Sequence, residues 1–228
     1  MTKTVLITGA SRGLGLQFTA HYVKAGWRVI ATARNVASAE KLHALAPWKT
    51  VALDTSDEQS IVDAAKALDS VPIDLLINNA GILTSNGVAT ATKAEIMQQF
   101  EVNAVGPFLM TRALLPNLKL AANASGHAMV AQITSHLGSI QSNDTGGYVG
   151  YRASKAALNM ISTSLARDLA GDKIGVVMVH PGYVSTDMCG GVGDITPEQS
   201  IAYLTAIFDR VEFTDSGKFF HNEGHELP

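Results

Sequence analysis

Tyr151 and Lys155 stand four residues apart in Tyr151-Arg152-Ala153-Ser154-Lys155. Positions four apart share one face of a helix, so a phenol and an ammonium are aimed at the same volume. A free phenol has a pKa near ~10 and is a poor acid–base group at neutral pH. A cation beside it favours the phenolate and lowers that pKa. The expected product is a pair that can give or take a proton near pH 7. The same spacing also describes many surface pairs. Two further features give it weight here: Ser135, and a glycine loop near the N-terminus.

The loop follows a short β-branched run, Thr4-Val5-Leu6-Ile7, which reads as a buried strand. It runs Thr8-Gly9-Ala10-Ser11-Arg12-Gly13-Leu14-Gly15, and Leu14, Phe18, Tyr22 and Val23 then recur at helical spacing. Strand, glycine turn and helix in that order are what a dinucleotide-binding loop requires. The glycines let backbone approach a pyrophosphate, and the helix N-terminus offers unpaired N–H groups. The spacing is GxxxGxG rather than the commoner GxGxxG, and an ordinary glycine turn has the same composition.

A second strand, Arg28-Val29-Ile30-Ala31-Thr32-Ala33, ends at Arg34-Asn35. An NAD site places an acid about twenty residues past the loop to accept from the ribose 2′-OH. Here that place holds Ala33 and Arg34, and the next acid is Glu40. An arginine suits a 2′-phosphate by charge and by its planar fork. Arg12 can reach the same phosphate from the loop. The expected cofactor is therefore NADP(H), although either arginine alone also reads as a solvated surface charge.

Further strand-like runs are Val51–Leu53, Ile73–Ile77, Ala128–Ile133 and Ile174–Val179, each separated by helical stretches. This alternation predicts one α/β domain over residues 1–228, a Rossmann-type doubly wound parallel sheet with helices on both faces. Ligands in such sheets sit at the carboxyl ends of strands. Asp54, Asn79, Ser135 and Pro181 all lie just past strand-like runs.

Composition narrows the function classes. The chain has 228 residues and a formal net charge of −3, and it shows no basic block that would recruit nucleic acid. Its single cysteine, Cys189, precludes an intrachain disulfide and is compatible with a reducing, cytoplasmic compartment. The N-terminus enters a strand at once rather than a signal peptide, and no run approaches the ~20 apolar residues of a membrane span. No His/Cys/Asp group has metal-ligand spacing, so no metal is expected. No Gly-x-Ser-x-Gly elbow accompanies Ser135, which argues against a hydrolase.

These motifs, with Asn78-Asn79-Ala80-Gly81, Asn103 and Pro181-Gly182, occur in the order seen in short-chain dehydrogenases/reductases, which the sequence resembles over nearly its whole length. Ile133-Thr134-Ser135-His136-Leu137-Gly138-Ser139-Ile140 and His180-Pro181-Gly182 look like the sniffer-type carbonyl reductases and C-factor-like proteins. The resemblance implies a catalytic set of Asn103, Ser135, Tyr151 and Lys155. Ser135 would hold a carbonyl oxygen against Tyr151. Lys155 would stabilise the phenolate and bond the nicotinamide ribose. Asn103 would disturb its helix locally and support a water linked to Lys155.

For the cofactor, the resemblance adds Gly9, Ser11, Arg12, Gly13, Leu14 and Gly15 in the loop, and Arg34 after the second strand. Asp54 and Thr55 fall at the adenine, although Asp54 reads as readily as a helix cap before Asp57-Glu58. Asn79, Ala80 and Gly81 would lie along the cofactor, with Tyr151, Lys155, Pro181, Gly182, Val184 and Thr186 near the nicotinamide. Residues 182–197 would form the substrate loop, and His136, Leu137, Tyr183 and Met188 are candidate substrate contacts. For His136 a structural role is an equal reading, and His180 reads as structural. The relatives often carry a tryptophan after a terminal Leu-Pro, whereas this sequence stops at Leu227-Pro228.

The expected activity is NADP(H)-linked interconversion of a carbonyl and an alcohol on a small molecule, in a homodimer or homotetramer. The segment Tyr151–Leu169 has apolar residues on more than one helical stripe, which leaves a face to cover. A C-factor-like binding or signalling protein with little turnover is the alternative, and a dehydratase or epimerase on the same fold is a third reading.

Overall fold

Seven parallel strands form one sheet in the order β3-β2-β1-β4-β5-β6-β7, in a computed structural model that describes residues 2–84 and 87–228. The strands are β1 (Thr4–Ile7), β2 (Arg28–Ala33), β3 (Lys49–Ala52), β4 (Leu75–Asn78), β5 (Ala128–Ile133), β6 (Ile174–His180) and β7 (Phe219–His221). The helices are α1 (Gly13–Lys24), α2 (Glu40–His43), α3 (Glu58–Ala67), α4 (Lys93–Phe100), α5 (Gly106–Ala113), α6 (Leu115–Ser125), α7 (Val149–Asp168) and α8 (Pro197–Arg210). The chain leaves β1 towards β2 and β3, then crosses back to place β4 on the other side of β1. That reversal opens a crevice at the carboxyl ends of β1 and β4.

Alternate strand residues serve opposite layers, because successive side chains point to opposite faces of a sheet. Val5, Ile7, Ile77 and Val179 pack with Phe18 and Tyr22 of α1 and Ile201 and Leu204 of α8. Leu6, Ile30, Leu76 and Val176 pack with Ile61 of α3, Met110 of α5, Leu118 of α6 and Leu165 of α7. A strand covered on both faces must be apolar throughout, which is why these runs lack polar alternation. The doubly wound Rossmann architecture is as the sequence predicts.

Three features differ from the sequence reading. β3 lies at Lys49–Ala52 rather than 51–53, and β4 at Leu75–Asn78 rather than 73–77. β7 is an additional strand. Only three residues long, it pairs with β6 through Met178↔Phe219, Val179↔Phe220 and His180↔His221. The C-terminus then folds back on it, with Leu227 N–H donating to Phe219 O at 2.7 Å. Among the described residues, no helix is long and apolar enough to cross a membrane.

Candidate active site

A cleft of about 290 Å³ runs along the carboxyl ends of the strands. At one end lie Gly9, Ser11, Arg12, Gly13 and Leu14, at the turn between β1 and α1. Gly9 has φ +66°, and a Cβ on Gly15 would lie 2.2 Å from Gly9 O, so the turn tolerates no side chain there. Arg12 is the N-cap of α1 but makes no side-chain cap bond, and the first turn holds no acid. The leading N–H groups of α1 therefore lack an intrahelical or capping partner and lie along the cleft. Arg12 sits 3.8 Å from Asp187 across the cleft mouth, with both side chains largely exposed.

The next wall follows β2 and β3. Ala33, Arg34, Leu53, Asp54, Thr55 and Ser56 line it. Asp54 is not the cap of α3; Asp57 is, accepting from Gln59 N–H at 2.9 Å. Asp54 instead accepts from Ser56 N–H at 3.0 Å and Ser56 O–H at 2.7 Å. Those bonds, then the Arg34 charge, hold its carboxyl below the usual range despite some desolvation. The turn closes before the helix starts, so the cap passes to the residue that immediately precedes α3.

Asn79, Ala80 and Gly81 form the floor beyond β4. The Asn79 amide donates to Thr8 O at 2.9 Å and Gly9 O at 3.3 Å, and Asn79 N–H bonds Thr8 Oγ1 at 2.9 Å. Its side chain thus braces the glycine turn. Asn103 lies in a π-helical turn, Glu101–Val105, between α4 and α5. It is fully buried. Its amide accepts from Ile82 N–H at 2.9 Å and donates to Ile82 O at 2.9 Å and Ser154 Oγ at 3.0 Å. Asn103 therefore clamps the segment after β4 to α7.

α7 carries Tyr151 and Lys155 into the far end of the cleft. Residues 151, 155, 158, 162 and 165 form its buried stripe, at three- and four-residue spacing. Lys155 Nζ donates to Ile133 O at 2.8 Å and lies 5.8 Å from the centroid of the Tyr151 ring. Ser135 lies two residues past β5, is buried, and its Oγ accepts Leu137 N–H at 3.2 Å.

The electrostatics correct the sequence expectation. Burial pushes the Tyr151 phenol up to about 12, with only partial opposition from the Ser135 hydroxyl beside it. Burial brings the Lys155 ammonium down to about 8. Desolvation is the leading cause for both groups, because burial disfavours the charged form of each.

Beyond β6, Pro181, Thr186, Asp187 and Met188 close the cleft. Gly182 and Val184 stand behind them; Gly182 has φ +90°, and Val184 is 4% exposed. Residues 182–197 fold back on themselves, with Ser185 N–H bonding Ile195 O at 3.0 Å and Asp194 N–H bonding Tyr183 O at 2.8 Å. Of the candidate substrate contacts, Met188 lines the cleft, while His136, Leu137 and Tyr183 lie off its wall. The His136 ring bonds His180 at 3.0 Å. Burial, with His136 and His221 beside it, lowers His180 to about 3.

A sequence model for short chain dehydrogenases matches residues 3–194. The chain belongs to the short-chain dehydrogenase family. The C-signal protein of Myxococcus xanthus is 38% identical over 161 residues, spanning 69% of this chain and 93% of its own. The NADPH-bound carbonyl reductase from chicken fatty liver superposes with a TM-score of 0.92 at 33% identity, covering 99% of this chain and 98% of that one. The carbonyl reductase Sniffer of D. melanogaster does so with a TM-score of 0.91 at 29% identity, over 100% and 99% of the two chains.

In this short-chain dehydrogenase, sequence reasoning did not single out Ile82, Gln98, Val102, Ile133, Thr134 and Asp187 as part of the cleft wall. Gln98 and Val102 are four apart on a helical segment, and Ile133 ends β5 with Thr134 just past it. That periodicity and that strand end were the available signals. Asp187 falls within the expected substrate loop, 182–197, and for Ile82 the sequence offers none.

Proposed function

We propose that this chain is an NADP(H)-dependent oxidoreductase interconverting a carbonyl and an alcohol, with Tyr151 as general acid/base. One observation carries the reading. A single cleft holds Tyr151 and Lys155 at one end and the uncapped N-terminus of α1, with Arg12 and Arg34, at the other.

The donor set fits the cofactor. Unpaired N–H groups at a helix start suit a pyrophosphate. Gly15 lets α1 start hard against the turn, since even a methyl there would strike Gly9 O. Arg12 and Arg34 would hold a 2′-phosphate, and Asp54 and Thr55 would face the adenine. Thr186 would face the nicotinamide. When bound, NADP(H) supplies or accepts the hydride. The similarity to the NADPH-bound chicken reductase supports this choice.

The remaining chemistry falls to the chain. A phenol at about 12 is protonated at neutral pH, so Tyr151 is ready to donate to a carbonyl oxygen. Ser135 holds that oxygen beside the phenol. Lys155, near 8, exchanges protons readily in the neutral range and can stabilise the phenolate left behind. Asn103 fixes the backbone against which Lys155 lies. Donors aimed where oxygen charge develops are often the largest electrostatic contribution to such a step.

The test is NADPH and NADH oxidation, followed at the nicotinamide absorbance, over a panel of aldehydes, ketones and quinones. Turnover with NADPH, at about tenfold or greater preference over NADH, is expected from the two guanidinium contacts. Similarity to C-signal favours the second reading, a protein that binds the dinucleotide without turnover. Tight NADPH binding with no reduction of any substrate would select it. Equal binding of NADH and NADPH would overturn the assignment of Arg12 and Arg34.

A further inference from the structure

Away from the cleft, the C-terminal turn gathers three metal-ligating side chains that alternate along the chain: His221, Glu223 and His225. One ligand atom from each lies within 4.8 Å of the other two. Glu223 Oε2 is 3.6 Å from His221 Nδ1 and 3.9 Å from His225 Nδ1. In a tetrahedral zinc site, bonds of about 2.0–2.2 Å put ligand atoms a little over ~3 Å apart. The observed separations are reached by small side-chain rotations, which the exposure of Glu223 and His225 permits.

The backbone already has the shape. His221 N–H donates to His225 O at 2.8 Å, and Gly224 N–H to His221 O at 2.8 Å. Gly224 holds φ +91°, and Arg210 anchors its carbonyl at 2.5 Å. The imidazole rings of His221 and His225 lie face to face, 4.6 Å apart at 20°. His221 Nδ1 accepts Glu223 N–H at 3.3 Å, so its lone pair faces the turn and its present bond is long. The His180 ring packs 5.1 Å from His221.

We propose that His221, Glu223 and His225 form a binding site for a divalent transition metal of the zinc class, with one coordination position left to water. Two imidazoles and one carboxylate are a borderline-soft set that suits Zn²⁺ and not Mg²⁺ or Ca²⁺. The site pins the C-terminal hairpin to the edge of the sheet. It is independent of the redox reading, because none of its ligands lines the cleft.

The test uses the untagged full chain, freed of metal and titrated with Zn²⁺ by calorimetry. One Zn²⁺ per chain is expected. At about 100-fold excess over Kd the thermal midpoint should rise by about 5–10 °C. Outer-shell groups alone are worth about 10–100-fold in metal affinity, so His225→Ala and Glu223→Gln should each weaken binding at least that much. Both positions are exposed, so both variants should fold. His127→Ala, at an exposed histidine elsewhere, should bind as the wild type does. Absence of stoichiometric binding, or wild-type affinity in either His225→Ala or Glu223→Gln, overturns the site.

Discussion

Lys155 Nζ donates to the Ile133 carbonyl at the end of β5, and the Tyr151 ring lies 5.8 Å away on the preceding turn of α7. The lysine is tied to the sheet, not to the phenol. Its position is therefore set by the packing of α7 on β5, and it is in place before any ligand arrives.

Loss of the phenol should separate binding from turnover. Tyr151→Phe removes one hydroxyl from a buried ring and leaves the pocket shape unchanged. General acid catalysis is worth about 10²–10⁴-fold, so kcat should fall by that order while NADPH affinity, from fluorescence titration, stays within about threefold. Near-wild-type turnover in Tyr151→Phe would end the proposed mechanism.

The buried lysine leaves a signature in stability. Its folded value, about 8, lies below its unfolded one. Between about 8 and 10.5 the unfolded chain holds more protons than the folded chain, so stability gained from this group rises with pH across that window. Below it, the folded protein bears the cost of a buried charge. Lys155→Met lacks that cost and should be the more stable form at pH 7, with the gap closing by pH 10. A tenfold change in an acid dissociation constant is worth about 1.4 kcal/mol, so the change in the gap is on the order of 3 kcal/mol at most. Tyr151 has the opposite sign: its raised value makes stability fall from about 10 to 12, so the comparison stops at pH 10. Urea midpoints at pH 7 and 10 read the gap, and a constant gap would mean that Lys155 titrates normally.

Arginine substitutions should act on the cofactor and not on the fold. Arg12 and Asp187 are an exposed pair, and such pairs contribute about 0–1 kcal/mol. Arg12→Ala should leave the melting temperature almost unchanged while raising the Kd for NADPH about tenfold, with NADH little affected. Arg34→Asp should narrow or reverse the preference, through Kd or KM more than kcat. Unchanged NADPH-to-NADH ratios in both variants would place the 2′-phosphate elsewhere.

We infer a homodimer or homotetramer from the surface of α4 and α7. Met97 on α4, Val105 at the end of the π-turn that follows it and Met160 on α7 remain 57%, 42% and 69% exposed. Light scattering at micromolar concentration should give a multiple of the 24.0 kDa chain mass. Met160→Glu should shift that mass towards the monomer. A 24.0 kDa species in the wild type would refute the assembly.

Much of this protein was legible one segment at a time. β1, β2 and β5 fall where β-branched and apolar runs place them, and the glycine turn and the 151–155 pair declare themselves by spacing. Those signals are local, because helical period, strand period and turn chemistry are properties of a few neighbouring residues. The tertiary structure alone decided the rest. β7 is too short to announce itself and exists because β6 offers an edge. Asn103 is buried because a π-turn rotates it onto Ile82 and Ser154. Tyr151 moves up instead of down because desolvation sums over every element packed around it, and no window of sequence contains that sum. His221, Glu223 and His225 meet only because the chain turns back on its last strand. Spacing determines which side chains can share a face. Long-range packing determines what medium they share, and the medium sets their chemistry.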